Sequence, residues 1–125
     1  MKIDWDILIE ECNDIAKKAS EDEMQIMIKE GYKYEVTIST SNKSYPLYDV
    51  CGNAYIKFKD MRKSFVKEYV KYMISIGNST YDNTFSLYNH SGRQELRVNK
   101  AIALAIAKHL NEKYNADVFV RWYVD

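Results

Sequence analysis

A chain of 125 residues that is 46% apolar and 29% charged can hold one hydrophobic core without disulfide or metal support, which excludes wholesale disorder. Its 18 basic and 18 acidic side chains cancel, which excludes the strong basic excess of a DNA-coating protein but leaves protein and nucleic-acid partners open. The charges are unevenly placed: residues 1–30 hold nine acids and four bases, leaving nine acids and fourteen bases for residues 31–125.

Trp5, Leu8, Ile9, Cys12, Ile15, Ala16 and Ala19 recur at steps of three and four, which predicts a first helix. It starts near Asp4, whose carboxylate suits an N-cap. The polar run Ser20 to Glu23 predicts an interruption, then a short second piece from Asp22 to Ile28, closed by Gly31. Tyr32 to Thr40 alternates and is rich in β-formers, so a first strand is expected there. Ser41 to Ser44 is a turn cluster, and Pro46 has no N–H to give to a ladder. Tyr48 to Phe58 is expected as a central strand, with Gly52 marking a place where another backbone comes close.

Asp60 to Ile76 predicts the next helix, on which Met61, Phe65, Tyr69 and Met73 repeat at four-residue steps before Gly77-Asn78 ends it. Lys59, Lys63, Lys67 and Lys71 keep the same spacing on the other side, with Arg62 beside them, and form the most directional charge feature of the chain. Thr84 to Tyr88 predicts a short strand and Asn89 to Arg93 a polar loop. From about Glu95 or Asn99 to Lys113 an alanine-rich helix follows, thin enough to lie close on a sheet and ended by Asn115. Asp117 to Val124 alternates as a last strand, with Val118, Val120 and Trp122 on one side and Phe119, Arg121 and Tyr123 on the other. This order implies one α+β domain over residues 1–125, an acidic helical segment 1–30 followed by a body 31–125. Its mainly antiparallel sheet of about four strands is expected to be covered by about three helices.

Chemistry-bearing residues are sparse. Cys51 could act as a nucleophile with His90 or His109 as base and Asp49 or Asp82 as orienter, but a small residue beginning a buried strand fits the same position. Cys12, Cys51, His90 and His109 lack the paired spacing of a zinc site, so neither metal nor cofactor is expected. Asn89 to Arg93 could hold an anion on free N–H groups, but one glycine is no phosphate loop. With no signal-peptide pattern and no long apolar run, the chain is expected in the cytoplasm, away from membranes and with its thiols reduced.

Asp49-Val50-Cys51-Gly52-Asn53-Ala54-Tyr55-Ile56, Ser64-Phe65-Val66, Gln94-Glu95-Leu96 leading into Lys100-Ala101, and Phe119-Val120-Arg121 before the terminal Asp125 follow one another in a distinctive order. In this the chain resembles a group of small phage and prophage proteins with a Cys-Gly-Phe-Ala-Trp-Val block and an alanine-rich C-terminal helix, over about residues 48–125. Asn53 and Tyr55 stand where that group has Phe and Trp, and Glu95-Leu96 where it has Ser-Met. The resemblance implies a mobile-element origin and a small α+β fold, and it transfers no catalytic residue.

Together these features favour binding over catalysis. The expectation is a phage-encoded, non-enzymatic protein that acts stoichiometrically on a protein or protein–nucleic acid complex of the host cell, in concrete form an anti-CRISPR-like inhibitor of a defence nuclease. Arg62, Lys63, Lys67, Lys71 and Arg93 are the candidate contact residues. A nucleic-acid-binding accessory protein and an enzyme using Cys51 are the alternatives.

Overall fold

The computed structural model describes residues 2–31, 51–78 and 83–124, and the backbone alone of 34–36 and 44–46. Asp4 precedes helix α1, Trp5–Lys29, in extended backbone, and its Oδ1 accepts the Ile7 N–H at 3.2 Å. One of the donors that a helix start leaves open is thereby satisfied. The interruption expected at Ser20 to Glu23 does not occur, and α1 is continuous. None of those four residues lacks an N–H or resists helical dihedrals, so polarity alone does not break the helix. Lys18 pairs with Asp22 one turn on at 3.0 Å, and Glu23 is held from outside by Arg97. Gly31, at φ +91°, closes the helix as expected, its N–H donating to the Ile28 carbonyl.

Strand β1, Tyr34–Val36, pairs antiparallel with β2, Ser44–Pro46, as a two-stranded ladder of its own. The rest of the first expected strand and residues 41–43 of the turn expected from Ser41 to Ser44 lie outside the described residues, while Ser44 itself begins β2. Strand β3, Gly52–Phe58, is central, as the sequence implies, between β4, Thr84–Phe85, and β5, Val118–Val124, both antiparallel to it; residues 48–50 of the strand expected from Tyr48 lie outside the described residues. Among the described residues the sheet thus has three strands where about four were expected. The first expected strand pairs with its near neighbour in sequence, which costs less loop-closure entropy than joining β3, and Pro46 ends that ladder where its missing N–H does least harm.

Register divides the large sheet into two faces. Ala54, Ile56 and Phe58 lie opposite Trp122, Val120 and Val118 on the face that meets the helices. Gly52 lies tight against β5: a Cβ there would stand 2.3 Å from the Tyr123 carbonyl oxygen.

The three helices among the described residues pack together on that face. Helix α2 is Ser64–Ser75 and starts later than Asp60, because Asp60 makes a turn instead: its carboxylate accepts the Arg62 N–H at 2.9 Å and its carbonyl the Lys63 N–H. Phe58 meets Phe65 and Tyr69 of α2, with ring centres 6.2 and 5.2 Å away, and Trp5 of α1 stacks on Tyr72. Helix α3, Leu96–Tyr114, packs on α1 with one side and on β3 and β5 with the other, burying Val98, Ile102, Ile106 and Leu110. Asn115, at φ 52°, ends it. The Asn111 side chain then imitates a strand partner, donating to the Val118 carbonyl at 3.0 Å and accepting its N–H at 2.7 Å, so α3 feeds directly into β5.

Candidate binding surface

The five residues first singled out have different surroundings. Arg62 forks onto the carboxylate of Asp60 at 3.0 and 3.2 Å, and that hydrogen bonding holds the Asp60 carboxyl below its ordinary range. Lys63 is half-buried, its Nζ 3.5 Å from Asn115 Oδ1. Lys67 and Lys71 are exposed one turn apart on α2, along a groove shared with Met61, Ser64 and Val70, but Glu68 lies between them, 3.5 Å from Lys71. Lys59 precedes the turn and pairs with Asp117. Arg93 stands apart, on the loop into α3, and grips Glu95 through two hydrogen bonds at 3.1 and 2.9 Å with both side chains largely buried. The lysine row is therefore shorter than its spacing implies, because only Lys67 and Lys71 fall inside the helix.

Cys51 is exposed, and its Sγ lies 3.8 Å from the Gln94 side-chain oxygen. Asp49 and Asp82 lie outside the described residues, among which no hydrogen bond joins Cys51 to an imidazole and no three His, Cys, Asp or Glu gather as a metal site. His90 lies against Tyr88, while His109 belongs to the seam between α1 and α3. There Glu11 accepts hydrogen bonds from Lys113, from Tyr114 at 2.7 Å and from His109 at 3.3 Å. Burial of Glu11 alone would raise its pKa, but these donors outweigh it and bring the carboxyl down to about 2. Arg97 of α3 binds Glu23 at 2.7 Å and Glu30 at 2.5 Å. Three of the nine acids of the leading segment are thus met by cations of α3. The Cys12 thiol is buried and pushed up to about 12, first by desolvation and then by the nearby Glu11 charge, which suits packing and opposes thiolate chemistry.

The sheet face turned away from the helices has a different character. Asn53, Tyr55 and Lys57 of β3 lie opposite Tyr123, Arg121 and Phe119 of β5. Tyr55 is 38% exposed and Tyr123 49%, with ring centres 5.9 Å apart across the strands. Lys57 donates to Thr84 Oγ1 at 2.7 Å, which holds its Nζ 5.7 Å from the centre of the Tyr55 ring. Arg121, directly opposite Tyr55, is exposed, and its side chain forms no hydrogen bond or ion pair among the described residues. Neither β3 nor β5 contains an acid.

No known protein family, curated protein or solved structure matches this chain.

The face must be understood from its own chemistry. Two cations and three aromatic rings lie together on two hydrogen-bonded strands that carry no acid, and such groups can stack on flat molecules and attract anions. Tyr55, Arg121 and Tyr123 are not among the contact residues that the sequence suggests, because an aromatic residue in an alternating strand fits core packing as well as a surface. The alternation of Asp117 to Val124 did contain the signal, since it puts Phe119, Arg121 and Tyr123 on one side. Among the described residues no helix is long and apolar enough to cross a membrane.

Proposed function

We propose that this chain acts by stoichiometric binding of a macromolecular partner, with no reaction of its own, and that the helix-free sheet face makes the contact. One observation carries this reading: Tyr55, Arg121 and Tyr123 stand exposed side by side on a surface that solubility alone would populate with small polar and charged residues. Tyrosine supplies contact area at low entropic cost and arginine supplies a planar fork of hydrogen-bond donors, and binding surfaces are enriched in both. In the setting implied by the resemblance of residues 48–125 to phage and prophage proteins, the partner is a protein or protein–nucleic acid complex of the host. A defence nuclease, blocked by contact in the manner of an anti-CRISPR, is the concrete case. The amide rather than an imidazole beside Cys51 supports a role that needs no thiol.

Affinity capture from the natural host tests this reading. The expected result is a specific partner retained by the wild-type chain, by Cys51→Ala and by a Lys67→Glu/Lys71→Glu variant, and lost by Tyr55→Ala/Tyr123→Ala. Capture that survives the double tyrosine variant but fails with the lysine variant would overturn it and return the contact to α2.

A further inference from the structure

Resting on the sheet face as the contact surface, we infer that this face takes single-stranded nucleic acid. Every base has a π-face that stacks on an aromatic ring, and each such contact typically contributes about 1–3 kcal/mol. Tyr55 and Tyr123, diagonal neighbours on adjacent strands, offer two rings to successive bases. Lys57 and Arg121 flank them as phosphate neutralisers, and no acid on either strand opposes a polyanion.

A duplex does not fit this arrangement, because its bases are stacked on one another and show the protein only their edges, leaving nothing for the two rings to cover. The lysines of α2 offer the reverse: charge without rings, partly cancelled by Glu68. The rings select for unpaired bases of any kind, while the Asn53 amide, directly opposite Tyr123, adds a donor and an acceptor beside the second ring.

The test is fluorescence anisotropy of labelled oligothymidylate and oligouridylate, each titrated with the full chain at several salt concentrations. The two strands are the two arms for DNA and RNA as the source of the same chemistry. Both arms, or one, should bind at low salt and weaken as salt rises, with a log–log slope near −1.4 for two phosphate contacts at about 0.7 each. Tyr55→Ala and Tyr123→Ala should each weaken binding about ten- to hundredfold, the fold-change that loss of one stacked base produces. Tyr55→Phe should change it little, and Arg121→Gln should flatten the slope by about 0.7. Both tyrosines lie on the solvent side, so circular dichroism and melting of the variants should match the wild type. Binding a duplex as tightly as a single strand, indifference to the tyrosine substitutions, or no binding at low salt would each overturn the inference. If oligonucleotides fail to bind while Tyr55→Ala/Tyr123→Ala still abolishes capture of a host protein, the nucleic-acid inference falls and the contact surface stands. If the substitutions affect neither measurement, both fall.

Discussion

Gly52 shows how much a single methyl group decides here. Its N–H donates to the Gln94 carbonyl at 2.9 Å, its own carbonyl accepts from Asn99 Nδ2 at 2.9 Å, and the space a Cβ needs is taken by the Tyr123 carbonyl oxygen at 2.3 Å. The obstructing atom is backbone, so it cannot swing aside as a side chain would. Gly52→Ala should therefore destabilise the fold by about 1–3 kcal/mol in a denaturant titration, as forced overpacking does, whereas Cys51→Ala, next door but exposed, should stay within about 0.5 kcal/mol. Equal stability of the two variants would contradict this account of the β3–β5 contact. That some backbone approaches Gly52 was legible in the sequence from the glycine itself. That Tyr123 is the residue approaching was not, because strand partners so distant in the chain are chosen by the assembled fold and leave no local mark.

At the scale of elements, the seam between α1 and α3 explains the charge asymmetry. Glu11, Glu23 and Glu30 of the leading segment meet Lys113, His109 and Arg97 of α3, so the acidic and basic parts of the chain are held together. Glu11 gives the seam a pH dependence. Its carboxyl has an ordinary pKa of 4.5 and a folded value of about 2, so the ionised form stabilises the fold above about pH 4.5, and that contribution is lost as pH falls from there toward 2. Because the side chain keeps 26% of its exposure, solvent screening limits the contribution to about 1–2 kcal/mol. Glu11→Gln should lose that much at neutral pH and unfold with a shallower acid limb; an acid limb as steep as wild type would remove Glu11 from the account. The helices themselves were legible from three- and four-residue spacing. Two of their limits were not: Ser20 to Glu23 looked like a break because polar residues mimic a loop, and Asp60 looked helical because its turn depends on a side-chain hydrogen bond that periodicity does not register.

For the molecule as a whole, the decisive fact is that its helices share one side of a three-stranded sheet, leaving Tyr55, Arg121 and Tyr123 on the other. Alternation in the sequence separates the two sides of β5 correctly. It could not say which side is open, since both carry aromatic residues: Trp122, on the helix side, is itself 46% exposed and is covered by Lys100, whose Nζ is 3.7 Å from the ring centre. Only the pairing with β3 and the packing of α3 separate the two sides. Charge periodicity such as the lysine spacing around α2 is visible in one dimension, whereas a surface built from two distant strands is not. The most direct measurement of the claim that this face takes single-stranded nucleic acid is a backbone-amide NMR titration of the chain with oligothymidylate and, in parallel, with oligouridylate. The account predicts shifts concentrated at Asn53 to Lys57 and Phe119 to Tyr123 with at least one of the two strands, and Lys63 to Lys71 unmoved; shifts along α2 with a silent sheet, or no shifts with either strand, would contradict it.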